Sequence, residues 1–274
     1  MNVQDQWDKA AAGWNRHAGA IRTWLRAPTD AMIEMAGVIS GASVLDVAAG
    51  AGDQTLDIAA RVGPLGHVTA SDISEAILSH ALANAKAAGF ANVATHRADL
   101  ADLGLPDASY DAATCRLGLM FLPDPLAGLR EVRRVLKDGA AFCAMVFDGP
   151  ATNPCLQILM GTAMKHAGLP PRDPFTPGGL VSLGKPGLLD DLFRQAGFKA
   201  VATTRMDAPF RIAGAADYMD FVRDAAGPIQ QMLSGLDPSK QAAAWADMQA
   251  QLGALQTETG WEGPNSLLLT TGQA

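Results

Sequence analysis

The sequence predicts an α/β chain built on a doubly wound, mostly parallel sheet. Three observations predict it. Short apolar runs alternate with helix-period segments from residue 43 to residue 147. The first run feeds a loop of small residues, DVAAGAGD, that opens a helix. After residue 150 the pattern turns helical and Pro/Gly-rich, then closes on one last strand-like run, so helical insertions cap an otherwise regular sheet.

The elements follow in chain order. Residues 1–40 read as helices packed outside the sheet, an N-terminal helical lid, with Trp7 and Trp14 seven apart on one helical face. Deleting residues 1–20 is then expected to cost turnover more than folding stability. Residues 43–48 form a buried strand and 54–61 a helix stopped by Gly63-Pro64; 67–71 is the next strand. Residues 74–88 form a helix with Ile77, Leu78, Ala81, Leu82 and Ala85 on one face, closed by Gly89. Strands follow at 92–96 and 110–116. Asp124-Pro125 opens a helix that Gly139 ends, because Asp caps and Pro suits the first helical position. Residues 140–147 are apolar throughout, as a strand covered on both faces should be. Thus 41–149 is a core unit. Within 150–274, residues 153–167 and 188–196 read as helices, 214–256 as almost wholly helical, and 170–187 as a loop or lid. Strands near 198–206 and 265–271 bring the expected sheet to seven.

Composition narrows the function classes. Of 274 residues 49% are apolar and 18% charged, the balance of a globular protein. The formal charge of −7 and the absence of a dense Lys/Arg cluster disfavour nucleic acid as a partner. No apolar run reaches the ~20 residues of a membrane span, and the polar N-terminus does not resemble a signal peptide, so no integral membrane association and a cytoplasmic location are expected. Cys115, Cys143 and Cys155 read as buried free thiols. The five histidines show no metal-ligand spacing and no metal is expected.

Four strand ends converge on one crevice, where such sheets bind ligands. Gly50 and Gly52 let the backbone approach a ligand closely. Asp72 lies 20 residues beyond Gly52, where a nucleotide fold places an acid on a ribose hydroxyl pair. Asp99-Leu100 offers a polar and an apolar residue to flank an adenine ring, and Arg116 follows the fourth strand. Asp46 is open to two readings, a hydrogen bond within the loop or a ligand contact.

The stretches VLDVAAGAGDQTLDIA, VTASDIS, ADLADLGLPDASYDAATCRLGLMFLPDP and LREVRRVLKDGAAFCAMVF resemble, in order, the successive motifs of class I S-adenosylmethionine-dependent methyltransferases. They are most similar to the small-molecule branch that includes the ubiquinone/menaquinone C-methyltransferases. The resemblance covers about residues 42–148. It implies a Rossmann-like fold, S-adenosyl-L-methionine as cofactor and a small-molecule acceptor. It also implies that Asp46 and the backbone of Ala48, Gly50 and Gly52 hold the methionine end, and that Asp72 binds the ribose. Ile73 would pack on the adenine, Asp99 and Leu100 would bracket its amino edge, and Arg116 would lie near the methionine moiety. Two mild departures are Ala49, where the family has Gly or Cys, and KDGA in place of PGG. Beyond residue 150 the resemblance fades to residues 187–198.

The chemistry expected is in-line displacement on a small, mostly apolar acceptor through an O, C or N nucleophile, without a metal. Among the apolar residues available to the cap are Leu156, Ile158, Leu159, Met160, Phe175, Met219, Phe221 and Trp245. No catalytic residue is assigned; His17, Asp148 and His166 read as structural or solvent-exposed. Two rival classes stand beside this reading. One is a non-catalytic module that binds S-adenosylmethionine or another ligand. The other is an NAD(P)-dependent oxidoreductase, whose fingerprint wants a third glycine where Thr55 stands.

Overall fold

The computed structural model describes residues 3–274; the first two residues of the 1–40 segment lie outside the described residues. The chain opens with α1 (Val3–Trp24) and α2 (Arg26–Met35), then β1 (Ser43–Val47), α3 (Asp53–Val62), β2 (His67–Asp72), α4 (Glu75–Ala87), β3 (Val93–Arg97) and β4 (Tyr110–Arg116). It continues with α5 (Pro125–Val135), β5 (Leu136–Phe147), α6 (Pro154–His166), α7 (Leu188–Gln195), β6 (Lys199–Asp207) and β7 (Phe210–Ile212). The last elements are α8 (Ala215–Ala225), α9 (Gly227–Leu233), α10 (Pro238–Leu252), β8 (Gln256–Thr257), β9 (Gly260–Gly263) and β10 (Ser266–Gln273).

Seven strands form one sheet in the order β3-β2-β1-β4-β5-β10-β6. β1, β2, β3, β4 and β5 pair in parallel, and β10 alone runs antiparallel, between β5 and β6. The α/β, doubly wound, mostly parallel arrangement expected from the sequence is therefore present. Its inner strands are apolar because helices cover them: Val44, Leu45, Ala112, Ala113, Phe142 and Ala144 are fully buried. The strand order reverses between β1 and β4, which leaves a crevice beyond their C-terminal ends. Every predicted site residue but Gly52, which opens α3, lies on or just after one of β1 to β4.

α1 packs on α3, α4 and α8, which lays it across this crevice. Polar ties fix it there. Ser74 Oγ donates to the Asp8 carboxylate, Asn84 Nδ2 donates to Asn15 Oδ1 at 2.9 Å, and His17 and Arg16 both hold Asp224 of α8. A second apolar cluster gathers Leu159, Phe210, Met219, Val222, Met248 and Trp261 from α6, α8, α10 and the small sheet β7-β9-β8.

One local expectation needs correction. α5 ends at Val135 rather than at Gly139, because Leu136 is extended (ψ 142°) and pairs with Tyr110, so β5 begins four residues early. Gly139, at φ 80°, turns the chain within that strand. Residues 214–256 are almost wholly helical, as expected, and divide into α8, α9 and α10; β7, β8 and β9 were not foreseen. The three cysteines are buried and unpaired, with thiols pushed up to about 12 by burial.

Candidate ligand-binding site

The loop after β1 turns through three residues in the left-handed region: Ala48 (φ 51°), Gly50 (φ 58°) and Gly52 (φ 83°). Glycine adopts this conformation freely, whereas Ala48 holds it under strain, of the kind that collects at binding sites. Gly50 N–H donates to Asp72 Oδ2 at 3.1 Å, and Ser74 N–H donates to Asp72 Oδ1 at 3.0 Å. Burial pushes the Asp72 carboxyl above its ordinary range, against those backbone N–H donors. The loop and the acid at the end of β2 are one hydrogen-bonded unit.

Asp46 and Gly52 do not line the cavity above this loop. The side chain of Asp46, in the buried middle of the sheet, turns beneath the loop and is fully buried. It accepts from the Gln54 side-chain amide, from Thr55 Oγ1 at 2.6 Å and from Thr114 Oγ1 at 3.1 Å. Burial pushes it up to about 6, opposed by the Thr55 hydrogen bond and by Arg116. These are the hydrogen bonds of the loop-holding reading. Gly52 faces α4: a Cβ there would sit 2.9 Å from Ala81 Cα. The residue that does line the cavity is Gln54, whose Oε1 is buried without a partner. It stands in the first turn of α3 directly above Asp46, a stacking that linear spacing does not reveal.

The remaining candidates, Ala48, Gly50, Asp72, Ile73, Asp99, Leu100 and Arg116, all line one cavity of about 240 Å³. Arg116 is held from two sides, by Asp53 Oδ2 at 2.5 Å and by Thr29 Oγ1 at 3.0 Å, with side chains of Arg116 and Asp53 only 6% and 9% exposed. Asp99 Oδ1 accepts the Ala101 N–H at 2.9 Å, which shapes the loop after β3. Gly118, after β4, has no room for a side chain because its Cβ would overlap that of Ala48. The two strand-end loops therefore touch across the reversal point.

A second cavity of about 90 Å³ adjoins the first, and Trp7, Trp14, Leu117 and Phe121 wall both. The rest of its wall is aliphatic and aromatic apart from Asn265, and includes Phe147, Leu156, Phe210, Tyr218 and Phe221. Leu156, Leu159 and Phe221 belong to the apolar set read from the sequence. Met219 is instead in the second core, and Trp245 lies under Arg223 at 5.8 Å. Phe147, Phe210 and Tyr218 were not foreseen, because they come from three separate elements.

His17, Asp148 and His166 line neither cavity. His17 Nε2 meets Asp224 Oδ2 at 2.9 Å, His166 Nε2 meets Asp247 Oδ2 at 3.0 Å, and Asp148 Oδ1 accepts Gly149 N–H at 2.7 Å. Among the described residues no group of three or more His, Cys, Asp or Glu side chains could hold a metal ion, and no helix is long and apolar enough to cross a membrane.

A reversed strand order, a strained glycine loop tied to an acid on the next strand, and a single antiparallel strand near the far edge define the Rossmann-like fold of class I methyltransferases. Residues 20–161, more than half of the chain, match the model of the ubiE/COQ5 methyltransferase family, and the chain belongs to that family. A demethylmenaquinone methyltransferase of Staphylococcus aureus (strain JH9) is 41% identical over 103 residues, which are 38% of this chain and 42% of that protein. The chain thus spans about two fifths of the length of the curated relatives it matches. Among solved structures, a putative methyltransferase from Bacillus halodurans superposes with a TM-score of 0.60 at 18% identity, over 90% of this chain and 98% of its own. A Haemonchus contortus phosphoethanolamine N-methyltransferase 2 in complex with S-adenosyl-L-methionine gives 0.62 at 13% identity, over 100% of this chain and 60% of its own. These structures share the fold.

Proposed function

We propose that this chain binds S-adenosyl-L-methionine in the larger cavity and transfers its methyl group to a small, mostly apolar acceptor in the smaller one. The observation that carries the reading is the pairing itself: a cavity at the strand ends that offers Asp72, Asp99, Arg116 and Gln54 shares the walls Trp7, Trp14, Leu117 and Phe121 with a second, almost wholly apolar one. The residues present fit the cofactor. Gly50 leaves the loop backbone bare at the cavity wall, Asp72 offers an acceptor carboxylate for the ribose hydroxyls, and Ile73 and Leu100 offer apolar surface for the adenine beside Asp99. Arg116 and the unpartnered Gln54 Oε1 suit the two charges of a methionine end.

When bound, S-adenosylmethionine supplies a methyl group already activated by the sulfonium, so neither a metal nor a covalent nucleophile is needed. The protein's part is to align the acceptor in line, at roughly 3 Å, and to exclude water. Burial pushes the Tyr218 phenol well above its ordinary range, so it stays protonated and serves as a wall rather than as a base. In this reading residues 1–40 act as a lid, 41–149 as the cofactor-binding core, and 150–274 as cap segments with the last core strands. The relatives' name, demethylmenaquinone methyltransferase, adds weight to a ring-bearing, quinone-type acceptor.

Isothermal titration with S-adenosylmethionine and with NAD tests the cofactor, and release of S-adenosylhomocysteine across a panel of phenols and hydroquinones tests the transfer. Heat from S-adenosylmethionine alone, with turnover of at least one ring acceptor, is expected. Tight NAD binding without S-adenosylmethionine heat overturns the cofactor assignment. Cofactor binding without turnover of any panel member favours a binding module.

A further inference from the structure

Trp14 carries a buried indole N–H that meets no acceptor. The neighbouring indoles differ. Trp24, in the wall of the smaller cavity, donates to the Ala208 carbonyl at 2.6 Å, and Trp261 donates to the Leu252 carbonyl at 2.7 Å. A buried donor left unmade is costly, so folded proteins rarely leave one without a use.

The position of Trp14 gives the use. Its ring packs on Ala51 and Ile77 on one side and lies 6.2 Å from the ring of Trp7, and it walls both cavities. The larger cavity already offers Asp72, Asp99, Arg116 and Gln54 to its occupant. The smaller is bounded almost wholly by hydrocarbon. Besides the Trp7 and Trp14 indoles, its polar side chains are Trp24, which is bonded to Ala208, Asn265, whose amide donates to the Gly263 carbonyl at 3.1 Å, and Tyr218, which lies on α8 outside the wall that the two cavities share. A ring lying there beside the methyl donor would find the Trp14 N–H at the junction. We infer that Trp14 donates this N–H to an oxygen on the acceptor ring, and thereby selects oxygen-bearing rings over bare hydrocarbons. The inference rests on the proposed function. The indole N–H is buried while no ring is bound, so its cover must shift before the bond forms. Trp14 is thus a specificity and positioning residue.

The test uses two probes of one shape, 1-tetralone with a carbonyl oxygen and tetralin without it, titrated into the S-adenosylhomocysteine-saturated protein. Wild type should bind 1-tetralone about tenfold more tightly than tetralin. Trp14→Phe should bring the two within about twofold, while Trp7→Phe keeps the preference. In ¹⁵N spectra of the wild type, 1-tetralone should move the Trp14 indole N–H resonance and tetralin should not, a readout that stands even if Trp14→Phe does not fold. The inference is overturned by equal binding of both probes to wild type, by a preference that survives Trp14→Phe, or by an indole resonance that ignores 1-tetralone. A loss of S-adenosylhomocysteine affinity as the sole effect of Trp14→Phe assigns the N–H to the cofactor and also overturns it. Absence of S-adenosylhomocysteine binding to wild type is a separate failure, of the proposed function, and the probe pair is then compared on the free protein.

Discussion

The Gly50 N–H donates to the Asp72 carboxylate across 3.1 Å, and this bond joins the loop after β1 to the end of β2. Asp72 therefore has two tasks, holding the loop and facing the cavity. Asp72→Ala removes the acceptor of the Gly50 and Ser74 N–H groups and the proposed partner of the ribose. S-adenosylhomocysteine affinity should fall at least about tenfold, and unfolding free energy by about 1–2 kcal/mol. Titration and urea unfolding measure the two, and an affinity within twofold of wild type rejects the ribose assignment.

Packing alone suffices to hold position 52 to glycine. Its φ is 83°, and a Cβ there would lie 2.9 Å from Cα and Cβ of Ala81. Gly89 has the same φ but open space around it. Gly89→Ala should cost about 1–2 kcal/mol for the left-handed backbone alone. Gly52→Ala should cost a further 1–3 kcal/mol, roughly the price of overpacking. Equal costs in urea unfolding would mean that α4 yields freely at Ala81.

Much of this architecture was legible because the inner strands are short, apolar and punctuated by glycines, and because ligand-facing residues of such a sheet sit at strand ends. Asp72, Asp99 and Arg116 could be located by that rule alone. Asp46 could not be assigned, because β1 is buried on both faces and period-two alternation does not tell which way a buried side chain turns. Gln54 escaped for the complementary reason: its importance comes from stacking over Asp46, a contact between strand and helix. The second cavity was legible only as apolar content, since Phe147, Phe210 and Tyr218 are brought together by long-range folding. The sheet β7-β9-β8 gave no signal because its longest strand, Gly-Trp-Glu-Gly, has too few residues for a pattern.

Asp46 also predicts a pH dependence. Its carboxyl is pushed from the usual 3.8 up to about 6 by burial, so the folded state keeps the proton to higher pH than the unfolded chain. Between pH ~4 and ~6 the folded state binds more protons, and stability from this group falls as pH rises through that window. The full change is on the order of 2–3 kcal/mol. Asp46→Asn should flatten the slope of unfolding free energy over that interval relative to wild type. Parallel slopes for the two proteins would show that Asp46 ionises in the ordinary range.

The structure also changes what a test of the lid should be. α1 buries Ala10, Ala11 and Ile21 and is tied to Ser74, Asn84 and Asp224, so deleting residues 1–20 should destabilise the fold as well as open the cavity. A point substitution separates the two effects. Trp7 is only partly buried, walls both cavities and meets the ring of Phe121 edge-on at 5.1 Å. Trp7→Ala keeps the polar ties of α1 and removes its covering ring. If α1 closes over the cofactor, S-adenosylhomocysteine should dissociate about tenfold faster from this variant, since changes at one interface act mainly on the off-rate. Unfolding free energy should change by less than about 1 kcal/mol for a partly exposed side chain with few core contacts. Stopped-flow displacement and urea unfolding report the two quantities. An unchanged dissociation rate would remove Trp7 from the lid, and a stability loss of several kcal/mol would make it a structural residue of the core.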